Sequence, residues 1–522
     1  MIAGASRVIV MAGKLQNGQP VPIGTPSTIR AGFDSDAAVG GSVGEVLRAA
    51  LAALEIPLGD SLKKRLGDYL SPTRKAAAWT LWCEGVAAAQ SGRSKDLAIA
   101  TQKLDAAVEE DPFFPLAYLK LAEYWAEVAQ LRALAGGASE AAWGAVYANA
   151  RKVANLRPDA GDPQWRLALG YSAGPRTDRE KMSEAMALAE QRLPGEPATW
   201  HTKWVVGGRD PADPALQRAM ALDPHPARYN IELAAELSRR AKLTEAEAQI
   251  EKALTLAPHS AMLSTVRGDT AMRRAKSAQA REFYEQALEY DPGFVAALVR
   301  LAELDAREKR PTESFNNYLK VVEADPTHPA AHYRLAYHYQ RTGRMSEAIH
   351  HYQQALLGMP TNVGLYVNLA QAYQAAGFLD QTVRHYQLAL EIDPTNLQAQ
   401  LELSALYYQA GDLTTAIALL EKAAAGHPDS AEAHFHLAAA LATQRQYEQA
   451  IPHYRRAIEI QPENAGAHHN LGLILLQQGD TAGAKQHLGR ACKLGQREAC
   501  QALQSYEQYT APRPGAPGVG GQ

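Results

Sequence analysis

Four arginines recur at a fixed interval in this chain of 522 residues. They are Arg239, Arg273, Arg307 and Arg341, each 34 residues from the next. The planar guanidinium group of arginine makes forked hydrogen bonds to carboxylates. If these side chains share one surface, they form a ladder for an acidic or carboxylate-bearing peptide. The alternative is a set of solvated charges with local ion-pair partners.

Two familiar catalytic or phosphate-binding motifs are missing from the sequence. It has no Gly-x-x-x-x-Gly-Lys-Ser/Thr phosphate loop and no His-Glu-x-x-His zinc helix. The glycine-bearing stretch from Gly40 to Gly44 lacks the lysine of a phosphate loop, and we interpret it as a linker. We therefore expect a protein that is not an enzyme, with no catalytic residues and no cofactor.

The histidines are a second group with possible chemistry. All sixteen lie from His201 onward, and some are close in sequence, such as His434 with His436 and His468 with His469. Residues one or two positions apart on a helix do not face each other, whereas residues three or four apart do. We interpret these histidines as parts of polar helix faces and expect no metal site.

The overall charge does not point to a polyanionic ligand. The formal net charge is −3 and the isoelectric point is about 6.6. The sequence therefore favours neither nucleic acid nor an anionic membrane as the main ligand. No apolar run approaches the roughly 18 residues that a membrane span needs. We expect protein or peptide partners, and the oligomeric state stays open.

Prolines recur at the same interval as the arginines. Proline cannot continue a helix, and it disfavours helical conformation in the residue before it, so each one marks a helix end. The set is Pro224, Pro258, Pro292, Pro326, Pro360, Pro394, Pro428 and Pro462. These eight boundaries predict an array of like units rather than one central core.

One unit shows the pattern between two such prolines. Leu335 and Tyr339 share a face of a first helix, and Gly343 ends that helix. Ala348 and Tyr352 share a face of a second helix. Small residues recur in register in both helices of the other units, which lets the helix axes approach closely.

This pattern resembles the tetratricopeptide repeat, which has small residues at its interhelical contacts, an aromatic in the second helix and a closing proline. The resemblance implies an all-α, right-handed superhelical solenoid of helix–turn–helix repeats. It is strong over residues 225–497, which hold eight units, and weaker over irregular units at 77–224. The tryptophan that the family carries early in the first helix is usually replaced, for example by Tyr366 or His332.

The two ends of the chain depart from the repeat. Residues 1–70 are expected to form a small α/β segment in which Arg7–Met11 pairs with Gln19–Ile23, followed by helices at 43–54 and 61–69. This segment faintly resembles the end of the TolB-like domain of some bacterial regulators. At the other end, residues 498–510 predict a capping helix, and the Pro- and Gly-rich residues 511–522 predict a disordered tail.

The resemblance assigns the regularly spaced arginines to the inner wall of the superhelix. In the family, this wall is built from first helices, and the four arginines occupy its thirteenth place. Arg300 and Arg334 occupy the sixth place of two units. The resemblance therefore implies a basic peptide-binding groove in the middle of the chain.

In the later units the same wall is apolar. The residues at its fifth and twelfth places are Val367, Leu401, Tyr408, Phe435 and Leu476. One interpretation is a groove for an amphipathic helix. The other is ordinary packing inside a tight superhelix.

The chain has three cysteines, and their spacing fits no zinc site. They can be packing thiols of a reduced compartment. The stretch that holds Cys492 and Cys500 resembles the bridged helical hairpins of Sel-like repeats, which implies a possible disulfide and an oxidising compartment.

The sequence thus predicts a scaffold or adaptor that binds an extended peptide or helix in the concave groove of its repeats. The alternative is a regulatory or substrate-recruiting arm of a larger enzyme or signalling protein whose catalytic part is elsewhere. Residues 1–13 lack the features of an export signal, so a cytoplasmic location is expected for the chain as it stands. A periplasmic location is expected if the start is truncated and the cysteines are bridged.

Overall fold

The computed structural model describes residues 75–89, 94–137, 139–157, 162–173, 178–223 and 226–510, together with the backbone of four strands between residues 7 and 30. The chain divides into two compact units, residues 1–335 and 336–522. The helices predicted at 43–54 and 61–69, and the tail predicted at 511–522, lie outside the described residues.

The four strands form two short antiparallel pairs. Strand β1 (Arg7–Ile9) pairs with β4 (Thr28–Arg30), and β2 (Gly13–Gln16) pairs with β3 (Gln19–Pro22). The predicted pairing of Arg7–Met11 with the strand at Gln19 is therefore wrong. Only two residues separate β2 from β3, and a two-residue connection joins adjacent antiparallel strands. The resemblance of this segment to a TolB-like domain stays a prediction.

The rest of the described chain is helical, with 25 helices between residues 76 and 510. Odd-numbered helices up to α23 are first helices, and each packs against the even-numbered second helix that follows it. In order they are α1 Ala76–Ala89, α2 Ser94–Glu110, α3 Pro115–Ala135, α4 Glu140–Leu156, α5 Asp162–Ala173, α6 Arg179–Arg192, α7 Pro197–Val206, α8 Pro214–Leu222, α9 Ala227–Arg239, α10 Leu243–Leu256, α11 Ala261–Arg273, α12 Ser277–Tyr290, α13 Val295–Arg307, α14 Pro311–Ala324, α15 Pro329–Arg341, α16 Met345–Gly358, α17 Val363–Ala375, α18 Leu379–Ile392, α19 Leu397–Gln409, α20 Leu413–Gly426, α21 Ala431–Thr443, α22 Tyr447–Ile460, α23 Ala465–Gln477, α24 Thr481–Lys493 and α25 Arg497–Thr510. The boundary between the two compact units lies within α15, after Leu335. This architecture confirms the predicted all-α repeat fold with a small β-containing segment at its start.

Each of the last eight helix pairs turns at one residue with a positive φ angle. That residue lies two positions after the first helix ends, and the next amide donates back to the helix, as Phe378 N does to Tyr373 O at 2.9 Å. The eight residues are Ala241, Ala275, Lys309, Gly343, Gly377, Gly411, Arg445 and Gly479. Four of them are not glycine, so their Cβ atoms strain the left-handed backbone.

Six first helices carry a polar side chain near their start that binds the same backbone group. In six pairs, this side chain hydrogen-bonds the carbonyl oxygen of the proline six residues earlier, at 2.8–3.3 Å. The six are Trp200, His332, Tyr366, Gln400, His434 and His468. Any side chain that brings a hydrogen-bond donor to this carbonyl oxygen can make the bond. This explains why other residues can replace the family's tryptophan.

Two of these histidines also contact a second histidine, which corrects their interpretation as polar helix faces. His434 Nδ1 lies 3.0 Å from His453 Nδ1, and His468 Nδ1 lies 2.9 Å from His487 Nδ1. Both His434 and His468 are buried. Since their Nε2 atoms donate to proline carbonyls, we assign Nδ1 as the acceptor and place the donated proton on the second histidine.

The hydrogen bond within each pair is lost when its accepting imidazole is protonated, because a protonated ring nitrogen cannot accept. Burial lowers the pKa of His453, His468 and His487, and the facing imidazole lowers the pKa of His453 and His487 further. Around them, Glu421 opposes the shift at His453 and Asp480 opposes it at His487, while Arg455 and Arg490 add to it at His487 and His468. In the unfolded chain each pKa returns to about 6.5. The unfolded state then binds more protons below that pH, so stability falls as the solution is acidified.

We predict that glycine at a strained turn stabilises the protein. Arg445→Gly should raise the free energy of unfolding by about 0.5–1 kcal/mol, because it removes the Cβ clash of a left-handed residue. The matched change Gly411→Ala introduces that clash in the preceding pair and should lower it by about 1 kcal/mol. Urea unfolding measures both. A lower midpoint for Arg445→Gly would contradict the strain.

We also predict that the histidine pairs make the protein acid-sensitive. The preceding pair of helices carries Gln400 and Leu419 at the corresponding positions, so it supplies a non-ionising replacement from the same chain. A variant with His434→Gln, His453→Leu, His468→Gln and His487→Leu should lose less thermal stability than the parent between pH 7.5 and pH 5. Equal losses in the two proteins would show that the pairs do not titrate on unfolding.

Candidate functional site: a ring of first helices

Within residues 1–335, each first helix from α3 onward contacts the next first helix along the chain. Arg166 of α5 donates to Glu123 of α3 at 3.2 Å. Leu169 of α5 packs with Val205 and Val206 of α7. These contacts join three consecutive first helices side by side, all running in the same direction because each is followed by an antiparallel second helix.

The series continues through three more first helices. The imidazole of His201 in α7 hydrogen-bonds the Glu232 carboxylate of α9 at 2.9 Å. Thr270 of α11 donates to Ser238 of α9 at 3.2 Å, and Arg300 of α13 donates to Asp269 of α11 at 3.0 Å.

The last of these helices returns to the first. Leu131, Leu134 and Ala135 of α3 pack in one apolar cluster with Phe294 and Ala297 at the start of α13. In addition, Arg300 Nη2 donates to the carbonyl oxygen of Leu134 at 3.3 Å. Helices α3, α5, α7, α9, α11 and α13 therefore form a closed ring.

The length of α3 makes the closure possible. It has 21 residues, whereas the regular first helices α9, α11 and α13 have 13. The eight extra residues add about 12 Å of helix. Two contacts hold the extended end: Arg132 pairs with Asp325 at 3.4 Å, and His328 Nε2 lies 3.3 Å from the Ala135 carbonyl oxygen. Gly136, with φ of 75°, then ends the helix.

The ring encloses a cavity of about 830 Å³. This volume lies within the range of about 300–1,000 Å³ that is typical of ligand pockets. One part of the wall is apolar, with Leu134, Trp143, Val206, Met262, Val266 and Leu304. The rest carries charged side chains of both signs.

Four of the six predicted groove arginines line this one cavity, namely Arg239, Arg273, Arg300 and Arg307. They have different surroundings. Arg300 pairs with Asp269 and lies 3.6 Å from Glu303, so carboxylates of the wall neutralise its charge. Arg239 pairs with Glu236. Arg273 and Arg307 are exposed and have no ion-pair partner among the residues that the structure describes.

The cavity also contains an arginine that the 34-residue spacing does not reveal. Arg209 lies in the turn after α7, where it has φ of 58° and approaches the Glu232 carboxylate to 3.9 Å. The helices on either side of it are shorter than those of the later repeats, so Arg209 does not lie 34 residues before Arg239.

The arginines occupy one edge of the cavity. Arg239, Arg273 and Arg307 are the last residues of α9, α11 and α13, and Arg209 follows the end of α7. Since these helices run in the same direction, their ends lie on the same side of the ring. We call this edge, Arg209, Arg239, Arg273 and Arg307, the arginine rim. The negative ends of the helix dipoles also favour cations there.

The two remaining arginines of the predicted groove are not among the residues that line the cavity. Arg334 hydrogen-bonds the hydroxyl of Tyr318, whose pKa is raised by burial, and its guanidinium lies 5.9 Å from the Tyr333 ring centre. Arg341 lies 6.0 Å from the centre of the Tyr337 ring, in the second unit. Their part in ligand binding stays a prediction.

The predicted apolar groove is only partly exposed. Val367 is 4% exposed and packs inside the cluster of Ala370 and Tyr386, so its side chain cannot contact a partner. Leu401, Phe435 and Leu476 are half-buried against the core of the later pairs. Tyr408 is 40% exposed, and its hydroxyl hydrogen-bonds Thr443 at 2.8 Å. Packing thus accounts for much of this apolar pattern.

Cys492 and Cys500 form a disulfide, with their Cα atoms 4.8 Å apart at the junction of α24 and α25, and Cys83 is a free, exposed thiol. No group of three or more histidine, cysteine, aspartate or glutamate side chains in the described part of the chain is arranged to hold a metal ion. No described helix is long and apolar enough to cross a membrane.

Family models match the regular repeats. Tetratricopeptide repeat models match residues 265–329, 316–360, 375–441, 408–451 and 465–494, and a TPR repeat model matches residues 443–479. Residues 265–360 and 375–494 therefore consist of tetratricopeptide repeats. These repeats support a role as a protein-interaction scaffold, and members of this family are typically not catalytic.

Similar solved structures cover about a third of this chain. A MamA crystal structure is 22% identical, covering 32% of this chain and 97% of that one with a TM-score of 0.29. MamA from Desulfovibrio magneticus RS-1 is 20% identical, with coverages of 32% and 94% and a TM-score of 0.30. YrrB, described as a TPR protein with an unusual peptide-binding site, is 17% identical, with coverages of 36% and 97% and a TM-score of 0.32. No curated protein sequence matches this chain.

We predict that an introduced charge at the closing contact opens the ring. Ala135 is 1% exposed in the cluster between α3 and α13, so Ala135→Asp places an unpaired carboxylate in an apolar contact. Hydrogen exchange of the amides in residues 131–135 and 296–300 should accelerate by about tenfold or more. Ala133→Asp, an exposed position on the same helix, is the control. Unchanged exchange in Ala135→Asp would show that the contact does not depend on this packing.

Proposed function

We propose that this protein is an interaction scaffold that binds an acidic, extended segment of a partner protein on the inner wall of its first unit. The observation that carries the proposal is the pair Arg273 and Arg307, two charges at the edge of the cavity that have no ion-pair partner among the described residues. An exposed arginine without a carboxylate partner is available for charge-assisted bonds to a ligand. The apolar wall beside these arginines would hold the apolar side chains of the same segment.

We propose a separate apolar surface in the second unit, residues 336–522. Leu401, Tyr408, Phe435 and Leu476 would contact an amphipathic helix of the partner, with Tyr408 as the most exposed of the four. Aromatic side chains with a polar tip are common in such interfaces. Val367 has no part in this surface because it is buried.

A second candidate function is a recruiting or regulatory arm of a larger enzyme or signalling protein. It is favoured by strands β1 to β4, which are not part of the helical repeat. Two-stranded sheets are marginal on their own and gain stability from a further packing partner. Copurification with a catalytic subunit would support this candidate over a free-standing adaptor.

The proposed acidic ligand predicts a charge-reversal effect. The probe is a short labelled peptide of repeating Glu-Glu-Leu, titrated against the full-length protein. Arg273→Glu with Arg307→Glu should weaken its binding about 10- to 100-fold, because two charge-assisted contacts become repulsive. High salt should weaken binding to the parent as well.

The matched control changes the same net charge outside the cavity. Arg274 pairs with Glu247, and Arg344 pairs with Glu347, and neither arginine lines the cavity. Arg274→Glu with Arg344→Glu should leave binding of the probe within about twofold. Equal loss in the control pair, or no loss in the cavity pair, would overturn the proposed site.

A further inference from the structure

Polar side chains inside the ring are already paired with one another. Glu232 is buried, and its carboxylate is held by His201 at 2.9 Å and by Arg228 at 3.0 Å. Burial alone would raise the pKa of Glu232, but His201 and Arg228 hold it well below its usual range. The carboxylate therefore stays ionised within its own ion pairs and is not available to a ligand.

Other polar groups of the lining are paired in the same way. Asp269 accepts hydrogen bonds from Arg300 at 3.0 Å and from the Tyr284 hydroxyl at 2.8 Å. The Ser238 hydroxyl accepts a hydrogen bond from Thr270 at 3.2 Å. A ligand that brought amide or hydroxyl groups into the ring would lose their bonds to water and find few partners in return. The interior thus favours a part of a ligand that has no hydrogen-bonding groups.

An apolar surface lies at the edge of the cavity opposite the arginine rim. Met262 lies near the beginning of α11, whereas Arg273 is its last residue. Met262 and Leu134 belong to the apolar cluster that joins the end of α3 to the start of α13. Val266 follows one turn after Met262, and all three apolar side chains line the cavity. We call Leu134, Met262 and Val266 the apolar floor. The cavity therefore has an apolar end and a cationic end.

The distance between these two ends sets the length of a ligand that spans the cavity. Met262 and Arg273 are 11 positions apart, so about 16 Å of helix separates them. A fully extended polypeptide advances about 3.3–3.6 Å over its three backbone bonds, and an extended alkyl chain advances similarly per bond. About 12–14 carbon atoms therefore reach from the apolar floor to the side chains of the arginine rim. The cavity of about 830 Å³ is large enough for such a chain.

We propose that the ring of first helices binds a fatty acid with a single chain of about 12–14 carbon atoms. Its alkyl chain lies against the apolar floor, where burial of each methylene group favours binding. Its carboxylate binds Arg273 and Arg307 through forked hydrogen bonds, and no carboxylate among the described residues pairs with these two arginines. This ligand is independent of the partner segment proposed above, but it occupies the same two arginines and so displaces that segment.

A series of fatty acids tests the apolar end of the site. The full-length protein is titrated by calorimetry with octanoate, decanoate, dodecanoate and hexadecanoate, each below the concentration at which it forms micelles. Affinity should rise about fourfold for each methylene added up to dodecanoate, because each buried methylene contributes about 0.8 kcal/mol. The gain should stop beyond about 14 carbon atoms, because the cavity has no room for a longer chain. A gain that continues unchanged to hexadecanoate would indicate binding on an open surface and would overturn the site.

Substitution of the two arginines tests the cationic end. Arg273→Gln with Arg307→Gln should weaken dodecanoate binding about tenfold or more, since both charge-assisted contacts are lost. Arg274→Gln with Arg344→Gln removes the same charge outside the cavity and should change the affinity by less than about twofold. Dodecylammonium, which the rim repels, should bind the parent at least about tenfold more weakly than dodecanoate. Equal losses in the two double variants would overturn the assignment of the carboxylate to the rim.

Trp143 reports whether the alkyl chain enters the ring, since its side chain lines the cavity. Dodecanoate that carries bromine on its last carbon atom quenches the fluorescence of nearby tryptophan. The quenching should fall in Trp143→Phe, while the affinity measured by calorimetry is largely kept, because phenylalanine leaves an apolar ring at this place. Quenching that is unchanged in Trp143→Phe would place the chain outside the ring and overturn the proposal.

Competition separates this inference from the proposed function. Dodecanoate at ten times its dissociation constant should weaken binding of the Glu-Glu-Leu peptide to the parent about tenfold. If dodecanoate binds through Arg273 and Arg307 but the peptide does not bind, the fatty acid site stands and the proposed function is wrong. If the peptide binds through these arginines but dodecanoate does not bind, the proposed function stands and the fatty acid site is wrong. Binding of both without competition would overturn the shared use of the rim.

Discussion

Close approach of the two helices in each pair is the contact from which the rest of the structure follows. Its tightest example is Gly268 of α11 against Tyr284 of α12, where a Cβ atom on the glycine would lie 2.3 Å from the ring. The ring is 1% exposed, and its hydroxyl donates to Asp269. Because a small residue packs against a large one at this place in each of the last eight pairs, these pairs have nearly the same shape. Residues 34 positions apart then occupy equivalent places, which is why regularly spaced arginines reach one edge.

Residue types vary more at the start and at the turn of each helix pair, where the structure requires only a hydrogen-bond donor or a left-handed backbone. The proline carbonyl at the start of a repeat accepts a hydrogen bond from tryptophan, histidine, tyrosine or glutamine, since each brings a donor to the same point. Left-handed turn residues vary in the same way, with glycine at four positions and larger residues at four others. The strain at the larger residues is small compared with the packing of the adjoining helices, so the fold keeps its period.

Much of this architecture follows from the sequence alone. Proline spacing, alternating small and aromatic residues and turn glycines are local signals, and each acts within a single repeat. They predict the helix pairs and assign Arg239, Arg273 and Arg307 to one wall. They do not reveal Arg209, because the units near it are shortened, and they do not show that Val367 is buried. Nor does spacing show that His434 and His468 each hydrogen-bond a second histidine, since these partners are 19 residues away on another helix.

The sequence by itself determined the repeat, its period and the residues that recur on one face, because these depend on backbone conformation and on neighbours within about one repeat. Only the tertiary structure decided that this face is closed into a ring. Closure depends on the extra length of α3 and on contacts such as Arg132 with Asp325 and Leu134 with Arg300, which join residues 193 and 166 positions apart. No local pattern encodes such pairs, because they arise from the summed rotation of the intervening repeats.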